Sequence, residues 1–178
     1  HGHYDHVGGI EAFCAGNKDA AIFIKEGFFE PKYNKDKKFI GIPYNADLFE
    51  GRLQIMSRAR EVFRGVHLVT DIPLANAWDT HFDNLFVMRN GSLELDQFSD
   101  EQFLVSEEEG AEEEGAVSVI SGCSHRGITN IVGAAAAFAG ELHHHSSEET
   151  KFRLVLGGFH LNNADVELAD RVIRALDE

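Results

Sequence analysis

The chain opens on His1-Gly2-His3-Tyr4-Asp5-His6-Val7-Gly8-Gly9, which places four metal-donating side chains within six positions. Successive side chains on an extended segment alternate, so His1 and His3 are expected on one side. Asp5 and His6 follow where the chain is expected to turn into a helix. Gly8 and Gly9 let the backbone turn and pack closely. One segment can thus offer one donor pair to one cation and a second pair to its neighbour. Imidazole with carboxylate suits zinc, iron or manganese, and the residue types alone do not choose among them. The plain alternative is a polar loop, which gives no reason for an aspartate and a Gly-Gly pair at this spacing.

Such a segment needs a layered scaffold, and the pattern of the remaining chain supplies one. A helix is expected over residues 10–15. Strands are expected at 21–24, 53–56, 66–69, 103–106, 117–120 and 153–156. Residues 86–89 and 92–95 flank Asn90-Gly91 and predict a hairpin. Residues 130–139 (NIVGAAAAFA) predict a buried helix, and 166–176 an amphipathic closing helix. Alternating strands and helices give an α/β layered fold class. Residues 31–46 read as a long, partly irregular loop in which Lys32, Lys35, Lys37 and Lys38 face solvent. Cys14 is expected in the core.

Two further histidines sit at matching places. His125 follows the strand at 117–120 in SGCSHRG, and His160 follows the strand at 153–156 in LGGFH. The C-terminal ends of strands are where α/β proteins build sites. Arg126 and the backbone N–H groups that begin the next helix are a candidate anion site for substrate, with an ordinary ion pair the equal alternative for Arg126.

With these words on the page, the sequence resembles the metallo-β-lactamase fold superfamily. HGHYDHVGG matches its HxHxDH signature. SGCSHRGITNIV and VLGGFHL are similar to the subfamily of dihydropterin ribofuranosyl-aminobenzene-phosphate synthase-like metallohydrolases. The resemblance runs from His1 to about Leu161. It implies a four-layer αββα sandwich with metal at one edge of the two sheets. It also implies the donors: His1, His3 and His125 for a first ion, and Asp5, His6 and His160 for a second. Two zinc ions are the expected cofactor, with iron or manganese as alternatives. The superfamily often carries a further acid in a Gly-Asp pair that bridges both ions. Here Gly122-Cys123 stands at the comparable strand end, and Cys123 is expected to pack or to support the ligands from behind.

The implied activity is a metal-dependent hydrolase acting on a small phosphorylated, ester or lactone substrate, with Asp5 as the catalytic acid that orients water. Activity should fall in acid as the donor histidines protonate. One alternative is a synthase that joins a phosphoribosyl donor to an aromatic amine. Another is a metal-binding domain without catalysis. Members of the superfamily reach the histidine motif only after several strands. Residues 1–178 are therefore expected to be the C-terminal part of a single larger domain, with the N-terminal strands lying outside this chain.

Composition narrows the partners. The chain has 16 basic and 30 acidic residues, a net charge of −14, which argues against nucleic acid. Six of those acids fall in EEEGAEEE at 107–114, and residues 107–116 are expected to form an acidic, solvated loop insertion. HHHSSEET at 143–150 is expected to be a polar surface loop, because three adjacent side chains cannot all converge on one ion. No apolar run approaches the ~20 residues a membrane helix needs. Two cysteines give no disulfide framework, and a cytoplasmic location is expected.

Overall fold

The computed structural model describes residues 1–107, 115–162 and 164–177. In chain order its elements are α1 (Tyr4–Val7), α2 (Ile10–Gly16), β1 (Ile22–Lys25), β2 (Lys32–Asn34), α3 (Ala46–Phe49), β3 (Leu53–Met56), β4 (Arg60–Phe63), β5 (Val66–Val69), β6 (Leu85–Arg89), β7 (Ser92–Leu95), β8 (Phe103–Glu107), β9 (Val117–Ile120), α4 (Ile128–His143), β10 (Phe152–Leu156) and α5 (Val166–Asp177). The fold is mixed α and β, in two compact units: His1–Ser57 with Phe82–Asp100, and Arg58–His81 with Glu101–Glu178.

The first unit holds a parallel pair, β1 with β3, and an antiparallel sheet in the order β2-β6-β7. The hairpin β6–β7 turns through Asn90 (φ 50°) and Gly91 (φ 80°). Both residues are left-handed, as a tight two-residue turn between twisted strands requires. The apolar alternation of β1 buries Ile22 and Ile24, which join Cys14, Phe28, Ile42 and Phe49 in the core. Cys14 is fully buried, as expected of a small apolar side chain on a helix.

The second unit is built on a five-stranded sheet in the order β10-β9-β8-β5-β4. All its pairings are antiparallel except β9 with β10. Helix α4 covers this sheet with Ile128, Ile131, Ala135 and Ala139, spaced three and four apart, on Val105, Val117 and Val119. Helix α5 adds Val172, Leu168 and Leu176 to the same core, and the Arg171 guanidinium lies 3.9 Å over the Trp78 ring.

Residues 31–46 differ from the expected solvated loop. Lys32 begins β2, pairs with Val87 of β6, and is 1% exposed. Strand β4 was not expected, because its burial is weak and Phe63 on this edge strand is 75% exposed. The polar stretch 143–150 begins on the last residue of α4. It then turns through left-handed His144 (φ 60°) into a short 3-10 turn, capped by a reciprocal pair between Ser146 and Glu149. Of the expected acidic insertion, Glu107 lies in β8, and residues 108–114 lie outside the described residues. No described helix is long and apolar enough to cross a membrane.

Candidate metal centre

In the first unit the histidine segment is held before its rings are. Gly2 N–H donates to Asp100 Oδ2 at 2.8 Å, and Tyr4 N–H to the Ile40 carbonyl at 2.8 Å. A Cβ on Gly2 would sit 1.9 Å from the Phe28 carbonyl oxygen, so only glycine fits. His3 is extended (φ −88°, ψ 139°), and its carbonyl accepts the first bonds of α1 from His6 and Val7. This is the expected extended-to-helix switch. It gathers three imidazoles: the His1 ring lies edge-on to His3 at 4.8 Å and to His6 at 4.9 Å. Phe98 packs beneath, 5.2 Å from His1 and 5.0 Å from His3. Phe98 is fully buried and left-handed (φ 50°), an unfavourable backbone for an aromatic residue held by its surroundings. Asp5 Oδ2 lies 3.3 Å from His6 Nε2, and both side chains are exposed.

Behind His3 is a buried ionic cluster. His3 Nε2 is 3.2 Å from Asp96 Oδ2, and Lys32 Nζ donates to Asp96 at 3.2 Å and to Asp100 at 3.3 Å. His3 is 4% exposed and the other three 1% each. Burial pushes the Asp96 carboxyl up, but the His3 hydrogen bond, the Lys32 charge and the Phe98 N–H outweigh it. They hold the group well below the usual carboxylate range. An ionised carboxylate only accepts, so neutral His3 carries its proton on Nε2 and keeps the Nδ1 lone pair as a donor.

In the second unit, the parallel pairing of Val119 with Val155 and Ile120 with Leu156 brings the ends of β9 and β10 side by side. The loops that leave them carry His125 and His160, whose ring centroids are 4.2 Å apart. His160 is left-handed (φ 56°) and exposed, whereas His125 is buried. His125 Nδ1 is 2.9 Å from the His81 carbonyl oxygen, which only accepts, so neutral His125 keeps the Nε2 lone pair. Buried Glu101 receives the backbone N–H of His125 at 2.8 Å and of Arg126 at 2.7 Å. Gly127 (φ 93°) then starts α4, where a Cβ would meet the Asp79 carbonyl oxygen at 2.5 Å.

The structure therefore brings His1, His3 and His6 together in one unit, with Asp5 beside His6, and His125 with His160 in the other. It treats the expected anion site differently. The N–H groups of His125 and Arg126 already meet Glu101, and that of Thr129 meets Asp79 Oδ2 at 2.9 Å. The Arg126 guanidinium donates to the Ile72 carbonyl. The chain's own carboxylates thus stand where a substrate anion was expected. Cys123 is half-buried beside Gly122, whose carbonyl accepts the Gly158 N–H at 2.7 Å.

Sequence reasoning missed Lys32, Asp96 and Asp100, and also Asp79, His81 and Glu101. The His81 ring stacks on His160 at 5.2 Å. Its Nε2 lies 3.6 Å from Asp79 Oδ1, and neither buried atom has a hydrogen-bond partner. None of these residues stands in a local motif; only contacts distant in sequence single them out.

The donor chemistry fits a divalent cation: neutral imidazoles with one nitrogen fixed by an acceptor, and a carboxylate at hand. No protein-family profile matches the chain. The chain is 26% identical, over 99% of its length, to the 7,8-dihydropterin-6-methyl-4-(β-D-ribofuranosyl)-aminobenzene-5′-phosphate synthase of Methanocaldococcus jannaschii, covering 59% of that protein. It is 23% identical over 97% of its length to an uncharacterised protein of the same organism, covering 60% of it. The crystal structure of Tm1679, described as a metal-dependent hydrolase of the β-lactamase superfamily, superposes with a TM-score of 0.74. The match is at 25% identity and covers 99% of this chain and 61% of that one. The chain spans about three-fifths of the length of each of these proteins. By structure and by sequence together, the chain has the metallo-β-lactamase fold and resembles the dihydropterin ribofuranosyl-aminobenzene-phosphate synthase-like branch of that superfamily.

Proposed function

We propose that this chain is part of a metal-dependent hydrolase acting on a small phosphorylated, ester or lactone substrate. The observation that carries the reading is the pair of imidazole locks. Asp96 fixes His3 with Nδ1 as its donor, and the His81 carbonyl fixes His125 with Nε2 as its donor. A core histidine needs no such arrangement, whereas a metal-donating histidine commonly has one. His1, His3, Asp5 and His6 are the proposed donors from the first unit, and His125 and His160 those from the second. The expected ions are zinc, with iron or manganese as alternatives.

A divalent ion, when bound, supplies Lewis acidity and lowers the pKa of its water toward ~7. The residues supply the rest. Asp5 is exposed and not buried in the ionic cluster, so its carboxylate is available to orient the attacking water and take up a proton. Glu101 and the His81 carbonyl keep His125 in place. Cys123, half-buried in the same loop, supports the ligands from behind. Nucleic acid is not the proposed substrate, on grounds of charge.

The test is elemental analysis of the protein purified without added metal, followed by a panel of phosphodiesters, phosphomonoesters and lactones. Bound zinc, iron or manganese and a hydrolysis that chelation abolishes are expected. Absence of any stoichiometric metal after loading would sink the reading. The similarity to the M. jannaschii synthase favours a second reading, condensation of a phosphoribosyl donor with an aromatic amine. Product analysis with those two reactants separates them.

A further inference from the structure

The cluster behind His3 carries more charge than its own members cancel. Lys32 contributes one positive charge, Asp96 and Asp100 one negative charge each, and His3 none while neutral. The sum is one net negative charge among side chains exposed by no more than 4%. An uncompensated charge in a low-dielectric interior is costly. The cluster nonetheless touches the histidine segment twice, through His3 Nε2 and through Gly2 N–H. Lys32 bridges both carboxylates, so it holds both contacts at once.

We propose that Lys32, Asp96 and Asp100 form a charge-balanced positioning element for the histidine segment. The element is deliberately one cation short, and an ion held by His1, His3 or His6 completes it. Lys32 acts as a positioning residue through the two aspartates and touches neither ion nor substrate. The inference rests on the metal reading above and assigns to three residues outside the donor set the control of how tightly that segment holds a cation. A cluster built only for folding would be neutral, or would gain nothing from the ion.

The two models give opposite signs, and substitutions that move the net charge in each direction separate them. Zinc affinity by chelator competition, and the thermal midpoint with and without zinc, are to be measured on the whole chain and on two variants. Zinc serves as the probe because it binds such nitrogen sites more tightly than iron or manganese. Asp96→Asn removes the excess charge and keeps the shape. The metal-free protein should melt at the same temperature or higher, while zinc affinity should fall about 10- to 100-fold, as for other residues that support metal ligands. Lys32→Met adds a second uncompensated charge. The metal-free protein should melt lower, and the zinc-induced rise in midpoint should exceed that of the unmodified chain. If Lys32→Met folds only when zinc is present, that too supports the proposal. If both variants melt lower without metal and bind zinc as the unmodified chain does, the cluster is a folding device and the proposal is overturned. Should Lys32→Met never fold, Asp96→Asn decides alone. If the unmodified chain binds no zinc, the metal reading itself fails. Binding by the unmodified chain and equally by Asp96→Asn overturns only this inference.

Discussion

At Gly2 there is no room for a single methyl group, because its Cβ would fall 1.9 Å from a main-chain oxygen that cannot swing away. Gly2→Ala is expected to destabilise the protein by about 1–3 kcal/mol or more, as overpacking does, and chemical denaturation measures it. The cost should appear with and without metal, since the clash precedes any ligand. Asp5 presents the opposite case. Its side chain is exposed and tied to His6 alone among the printed contacts, so Asp5→Asn should leave the midpoint nearly unchanged. Turnover should still fall by at least about 100-fold, the low end of what a general base contributes. Full turnover with metal retained would remove Asp5 from the mechanism. The sequence made both residues conspicuous, because the motif is contiguous and its spacing carries the geometry. Lys32 was illegible for the complementary reason. Among Lys35, Lys37 and Lys38 it reads as one more solvated cation, and only its pairing with Asp96 and Asp100, more than sixty positions away, shows otherwise.

Among the elements, local grammar was legible where it was strong. The Asn90-Gly91 turn, the apolar run of β9 and the three- and four-residue spacing of α4 each appear where the pattern placed them. Short strands without alternation, β2 and β4, were not legible, because a partner strand rather than their own residues makes them strands. The start of α4 is of the same kind. No local side chain caps it; Asp79, fifty positions earlier, accepts from Thr129 N–H and Oγ1. Glu101, just before β8, likewise secures the loop that follows β9 by accepting two consecutive N–H groups. Glu101→Gln turns one of those acceptors into a donor facing a donor. A loss of about 1–3 kcal/mol is expected, the cost of a buried polar group left unpaired. Calorimetry of the metal-free protein would register it, and an unchanged midpoint would show that the clamp contributes nothing.

On the scale of the whole molecule, charge and cation binding are the measurable properties. With a net charge of −14, the protein should show no binding to duplex or single-stranded oligonucleotides at physiological salt. Fluorescence anisotropy with labelled strands is the check, and a salt-sensitive micromolar affinity would contradict it. A cation that binds only the folded chain must also raise its stability. At a free concentration about 1,000 times its Kd the gain is about 4 kcal/mol. Chelation should therefore lower the thermal midpoint by several degrees, and readdition should restore it.

The ties that hold the histidine segment also set the order in which it can form. Gly2 meets Asp100 across 98 positions and His3 meets Asp96 across 93, whereas the β6–β7 hairpin closes between immediate neighbours. A hairpin closes in about 1–10 μs, while contacts between distant positions wait for the chain that separates them to collapse. During refolding, pulse-labelling hydrogen exchange should find the hairpin amides protected early and the Gly2 amide protected late. The nine residues that announce themselves most clearly in the sequence are thus among the last to acquire their shape, and a cation arriving during folding meets a flexible strand of imidazoles before it meets a finished site.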